Sequence, residues 1–398
     1  IGKNDEKHFI ALNSKKFKAI KLTWGFFCSI IPLVRIKRMS FYRKEDGIMK
    51  KSTKIMSVLL AAACAASMTG CGGSGSTATT AAASEAATEA ASSEEAKSDA
   101  AASTDGKTYN VGICQLVQHV ALDAATQGFK DALTDALGDA VTFDEQNAQG
   151  DSNTCSTIIN SFVSNHVDLI LANATPSLQA AQAGTNEIPV LGTAVTEYGV
   201  ALGIDGFDGL VGGNISGTSD LAPLDEQAAM LHELFPDAKN VGLLYCSAEA
   251  NSQYQVDTVK AALEEMGYTC EYYAFSDSND LATITTNAAT NSDVIYVPTD
   301  NTVAANTEIV NNICQPAKVP VIAGEEGICS GCGVATLSIS YYDLGVATGK
   351  MAVKILTGEA NVSEMPIEYA PQFTKKYNKT ICDALEITVP DDYVAIEE

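Results

Sequence analysis

Apolar residues in this chain follow two alternating rhythms. NVGICQL (110–116) is a short apolar run of the kind that forms a buried strand. In the ALDAATQGFKDALTDAL stretch that follows, Leu122, Ala125, Phe129, Ala132, Leu133 and Leu137 recur at helical spacing. A helix around CSTIINSFVSN, the strand VDLILAN, a helix from Pro176 and the strand IPVLGTA come next. A second series begins near Leu224. The helix DEQAAMLHELF leads to the strand NVGLLYC, a helix ending at Gly267, the strand TCEYYAF and a helix near LATITTNA. The strand DVIYVPT, a further helix and VPVIAGE complete it. The two series correspond in detail. Val111-Gly112 matches Val241-Gly242, Val167-Asp168-Leu169-Ile170 matches Ser292-Asp293-Val294-Ile295, and Ile188-Pro189-Val190 matches Val319-Pro320-Val321. Two similar βαβ series predict an α/β fold with two Rossmann-like lobes, each a parallel sheet flanked by helices.

Ligands of open parallel sheets sit beyond the carboxyl ends of the strands, so the expected site is the cleft where both sets of ends face each other. In the first lobe those ends carry Gln115 to His119, Thr175-Pro176-Ser177 and Thr193 to Thr196. In the second they carry Ser247 to Ser252, Pro298 to Asn301 and Gly324-Glu325-Glu326. Thr175 reads as an N-cap with Pro176 at the first helical position. Capping alone would account for the residue types. A helix N-terminus lined by hydroxyls also suits a carboxylate. Asp300, in the segment TDN, has the same two readings. It or Glu325 is the candidate partner for an ammonium group, and an anion binder on one lobe facing an acid on the other describes an amino-acid cleft.

Charge sharpens this reading. Residues 1–70 hold 14 of the 25 basic residues and 4 of the 49 acids, so the chain from Cys71 onward carries 11 against 45. All three arginines (Arg35, Arg38 and Arg43) lie in that first part. So acidic a body is a poor partner for nucleic acid or anionic lipid. An anion it binds cannot be held by a guanidinium fork, which leaves helix N-termini and hydroxyls.

The front of the chain explains the split. Met49 to Lys54 is a basic n-region, and Ile55 to Ala66 is an apolar core of signal-peptide length. Ser67-Met68-Thr69-Gly70-Cys71 resembles a bacterial lipobox, which implies a signal peptide over 49–70 and lipidation at Cys71. Residues 1–48 lie upstream of that complete signal and are expected to be a translated upstream region. Residues 72–107 are small, acidic and of low complexity, so 71–107 reads as a lipidated cysteine followed by a disordered tether. The expected location is the extracytoplasmic face of a bacterial membrane, held there by lipid.

Catalytic signatures are sparse. His119, with Asp123 one turn later, is the one catalytic suspect, but there is no G-x-S-x-G elbow, P-loop or metal-spaced cluster. Cys329-Ser-Gly-Cys332 has C-x-x-C spacing without a companion pair for zinc. A local disulfide or plain structural cysteines are expected there. No cofactor is expected.

These residues bring a family into view. QLVQHVALDAATQGF, NATPSLQA, SGTSDLAP, VPTDNTV, GEEG and SYYDLG, in order from about residue 108 to the C-terminus, resemble the ABC-transporter substrate-binding proteins that carry tryptophan, phenylalanine or tyrosine. The resemblance implies a type I periplasmic-binding fold with a three-crossover hinge, and an ABC permease and its ATPase as partners. It also implies ligand contacts at Gln115, His119, Thr175, Ser177, Thr196, Asp220, Asp300, Asn301 and Glu325, with Tyr341 and Asp343 in the wider hinge region. Val120 departs from the pattern, since relatives often have proline after the histidine. Hinge logic predicts that LGVATGKMAVKILTG packs back on the first lobe before the chain crosses again. The expected lobes are therefore 108–222 with 335–362, and 223–334 with 363–398. A sensor for another small solute such as a sugar or nucleoside, and a surface hydrolase or redox enzyme using His119 or the Cys329/Cys332 pair, are the alternative readings.

Overall fold

The computed structural model describes residues 106–397. The expected signal segment, Cys71 with its expected lipidation, and the expected tether up to residue 105 lie outside the described residues. Among the described residues no helix is long and apolar enough to cross a membrane.

The first sheet is built from β1 (Tyr109–Gln115), β2 (Val141–Asn147), β3 (Leu169–Asn173), β4 (Val190–Val195) and β5 (Ile215–Ser219), in the order β2-β1-β3-β4-β5. Helices α1 (Val120–Leu137), α2 (Ser152–Ser164), α3 (Thr175–Gly184) and α4 (Tyr198–Leu202) connect its strands. After α5 (Leu224–Leu234) the second sheet repeats the pattern with β6 (Asn240–Cys246), β7 (Thr269–Phe275), β8 (Val294–Val297), β9 (Val321–Ala323) and β10 (Ala335–Ser338), ordered β7-β6-β8-β9-β10. Between these strands run α6 (Ala250–Glu265), α7 (Ser278–Asn291), the short α8 (Asn301–Ala304), α9 (Thr307–Ala317) and α10 (Glu326–Cys332). Both lobes are thus α/β with parallel pairing in these strands, as the repeat predicts.

The correspondence reaches single hydrogen bonds. Asp168 accepts the Asn110 N–H at 2.7 Å, and Asp293 accepts the Asn240 N–H at 2.8 Å. Ile170 donates to Pro189 O and Ile295 to Pro320 O, each at 2.9 Å. In both lobes, then, an aspartate before the third strand closes the start of the first, and a proline carbonyl sets the register of the next.

Beyond β10 the chain runs through α11 (Tyr341–Thr357), β11 (Glu368–Tyr369), β12 (Thr374–Tyr377), α12 (Lys379–Leu385) and β13 (Val394–Ala395). β11 joins the first sheet beside β5, whereas β12 and β13 extend the second, with β12 antiparallel to β10. The chain therefore crosses between sheets three times, after β5, β10 and β11. Two expected boundaries move. Residues 335–338 finish the second sheet instead of starting the return, because Val334 donates to Val321 O at 2.8 Å and Ala335 pairs with Ile322. The chain after 362 stays with the first lobe through Tyr369, held by Ser216 Oγ donating to Met365 O at 2.9 Å and by Ile367 donating to Gly209 O at 2.8 Å.

α11 packs on α1, as expected for the returning helix. The crossing is close enough to need glycine on both sides. A Cβ at Gly128 would lie 2.1 Å from Tyr342 O, and one at Gly345 would lie 2.0 Å from Ala125 O. Two strands escaped the periodicity. β2 is a half-exposed edge strand, and β5 (ISGTS) is buried but polar. Its hydroxyls find partners inside the fold: Thr218 with Thr348 at 2.8 Å, and Ser219 with Thr196 O at 2.7 Å. All eight cysteines among the described residues are buried free thiols, including Cys329 and Cys332 in α10, so of the two readings expected for that pair it is the plain structural cysteines that the fold shows.

Candidate functional site

The strand ends of the two lobes face each other across a small cavity. Its walls include His119 at the start of α1, Thr196 after β4, Asp220 after β5 and Tyr341 at the start of α11. The second lobe contributes Asn251, Thr299, Asp300, Asn301 and Glu325. The lobes touch: His119 Nε2 lies 3.2 Å from Asn301 Oδ1. What is enclosed is about 10 Å³, room for roughly one water.

Local chemistry explains how each acid is held. Asp300 caps α8, accepting from Val303 N–H at 2.9 Å, and its other oxygen accepts from Cys246 N–H at 2.7 Å. Glu325 caps α10 through Gly327 and Ile328 N–H groups at 2.6 and 2.5 Å. Asp220 is held differently. Tyr341 O–H donates to its Oδ2 at 2.8 Å, and Oδ1 is buried with no partner. That contact also ties the first crossing to the second.

No lysine lines the cavity among the described residues, and the acids respond accordingly. Burial, then the charge of Glu249, pushes Asp300 up to about 7, and burial pushes Glu325 up to about 7. Burial likewise raises Asp220. His119 is lowered by its burial, and Nε2 facing the Asn301 oxygen favours the neutral tautomer with its proton on Nε2.

A pH dependence follows. Asp300 and Glu325 bind protons more tightly folded than unfolded, so their contribution to stability is fully present below about pH 4 and is lost as pH rises through about 7. Melting temperature is expected to decline between pH 5 and 8. In the Asp300→Asn/Glu325→Gln double variant that decline should flatten, and an unchanged slope in calorimetry would count against the two carboxyls as its source.

The sequence-predicted residues divide. His119, Thr196, Asp220, Asp300, Asn301, Glu325 and Tyr341 meet at the cavity, while Gln115, Thr175, Ser177 and Asp343 do not line it. Gln115 is committed to the lobe interior, where its amide donates to Asp123 at 2.6 Å and accepts from Thr126 at 2.7 Å. Ser177 Oγ sits between two buried thiols, 3.6 Å from both Cys114 and Cys155 Sγ. Asp343 is exposed on α11. Thr175 is the first residue of α3 and not its cap. That place belongs to Ala174, at φ 86° and ψ 158°, a region that costs a side-chain-bearing residue energy and is kept where surroundings enforce it. Ala194, on the cavity wall, is also left-handed, at φ 51°.

Two residues of the site escaped the sequence reading. Glu249 underpins α8, accepting from the Asn301 and Thr302 backbone N–H groups at 3.0 Å each and from the Asn301 side chain at 2.7 Å. It thereby orients the amide that meets His119. Asn251 donates to Thr299 O at 3.0 Å, and its Oδ1 is buried and unpartnered. Both lie in the segment Ser247–Ser252, recognised as a strand end. No residue type within it stood out, because an N-terminal helix turn commonly carries Glu and Asn.

Known proteins share this architecture. Residues 110–396 match the family of ABC transporter substrate binding proteins. A tyrosine-binding protein of Clostridioides difficile is 36% identical over 349 residues, which are 86% of this chain and 92% of that protein. Among solved structures, an ABC domain in complex with L-Trp from Streptococcus pneumoniae superposes with a TM-score of 0.68 at 33% identity, covering 72% of this chain and 97% of that one. A ligand-free, open substrate-binding protein from Clostridium difficile has higher identity, 38%, but a lower TM-score, 0.57, over 73% of this chain and 99% of that one. With the family match spanning most of the chain, two type I periplasmic-binding lobes and a cleft between them, this chain belongs to the ABC transporter substrate-binding protein family.

Proposed function

We propose that this protein is a lipid-anchored, extracytoplasmic receptor that delivers an aromatic amino acid to an ABC permease and its ATPase. The observation that carries the ligand reading is the cavity wall: buried Asp220, Asp300 and Glu325 from both lobes, with no cation among the described lining residues. The ammonium group would sit among these acids. Its carboxylate would approach the start of α3 as the lobes part, where buried Thr175 opens the helix and helix N–H groups favour negative charge. The tyrosine-binding and tryptophan-bound relatives support the aromatic choice. A ligand of this size needs a pocket of about 300 Å³ or more, so binding requires the lobes to separate and close again.

A thermal-shift panel is the test. Tyrosine, tryptophan or phenylalanine at a hundred times its Kd should stabilise the fold by about 2.7 kcal/mol without being consumed. Stabilisation by a sugar or nucleoside and by no aromatic amino acid would overturn the ligand class. Anchoring rests on the lipobox-like run ending at Cys71. Cys71→Ala should move the protein from the membrane fraction to the medium, and a variant that stays with the membrane would count against lipidation there.

A further inference from the structure

The two ends of an amino acid meet unequal preparation in this cleft. For the ammonium end, two acceptors from opposite lobes are already in place: Asp220 Oδ1 and Asn251 Oδ1. Both residues are only 4% exposed. A buried acceptor without a partner destabilises the fold, and an entering N–H donor removes that cost. Around them stand the carboxyls of Asp300 and Glu325, whose remaining lone pairs can each accept once more.

For the carboxylate end, little is prepared. Ser177, one of the two expected hydroxyls, is turned toward Cys114 and Cys155, and neither it nor Thr175 lines the cavity. A zwitterion entering here brings a negative charge toward three carboxyls and no cation. A ligand bearing only the positive charge matches the wall better.

We infer that recognition is centred on a primary ammonium group and that the cleft accepts arylalkylamines, the decarboxylated counterparts of the aromatic amino acids, as ligands in their own right. The inference rests on the proposed interlobe site and extends its ligand class from zwitterions to organic cations. A primary ammonium offers three N–H groups, which can be shared among Asp220 Oδ1, Asn251 Oδ1 and one of the capping carboxylates. Acids lacking the amine leave those acceptors unpaired and add repulsion.

Calorimetric titration of the protein with two matched series of three compounds tests this: tyrosine, tyramine and 3-(4-hydroxyphenyl)propionate, and the same set built on indole. The amine should bind within about tenfold of the amino acid, and the desamino acid at least about a hundredfold more weakly than either. An amine that loses as much affinity as the desamino acid, beside an amino acid that binds, overturns this inference and leaves the proposed function standing. Amine binding without amino-acid binding supports the inference and removes the amino-acid reading. Binding of none of the six overturns both.

Discussion

Asp220→Asn is expected to weaken binding of the aromatic amino acid by about a hundredfold or more, with little loss of stability. The substitution keeps the shape and still offers Tyr341 an acceptor in place of the present 2.8 Å contact. It removes the charge of a carboxylate whose second oxygen has no partner in the fold. Breaking a buried ionic contact by deleting one partner costs about 3–5 kcal/mol of binding, or a factor of hundreds to thousands. Ionised Asp220 is itself penalised by burial, so the amide should leave the melting temperature unchanged or slightly higher. Asp300 and Glu325 behave differently, since their oxygens each hold helix N–H groups and their loss mixes folding with binding. Calorimetric titration of Asp220→Asn at wild-type affinity would remove Asp220 from the site.

Gly345→Val should be the most damaging substitution for the fold. Its first side-chain carbon alone would sit 2.0 Å from the Ala125 carbonyl oxygen, and that oxygen belongs to helix backbone that cannot turn aside. α11 must then lift off α1 along a buried seam that includes Leu344, Thr348 and Met351 on one side and Leu122, Phe129 and Leu133 on the other. Overpacking with backbone displacement and lost burial together cost about 3 kcal/mol or more. That corresponds to a fall in melting temperature of about 6–12 °C for a body of this size. A fall of less than about 2 °C would contradict the close crossing. Ligand affinity should drop as well, because these helices carry His119 and Tyr341 at their N-terminal ends.

What the sequence discloses and what it conceals follows from how local each signal is. The βαβ rhythm is legible because a buried parallel strand is a continuous apolar run and its helix keeps a 3.6-residue period. The paired Asp168/Asp293 and Pro189/Pro320 positions make the repeat recognisable in the sequence itself. β5 was not legible, because its Ser and Thr hydroxyls are satisfied by residues as distant as Thr348 and Met365. The boundaries after 334 and 362 failed for a related reason: which sheet a strand joins depends on a partner far along the chain. At the site, charged residues at strand ends were found by position. The inward turn of Ser177 was not, because it depends on Cys114 and Cys155 packing against it. Asn251 was missed since nothing in its residue type distinguishes a cap neighbour from a ligand acceptor.

The buried thiols give each lobe its own record of unfolding. Cys114 and Cys155 lie in the first lobe, and Cys246, Cys270, Cys314, Cys329, Cys332 and Cys382 lie in the second. Burial pushes Cys246, Cys270 and Cys382 up to about 11, and raises Cys314, Cys329 and Cys332 as well, so in the closed core they are poor nucleophiles. A thiol released to water returns to about 8.5 and reacts readily. Alkylation followed by peptide mapping therefore times the opening of one lobe against the other without any introduced label.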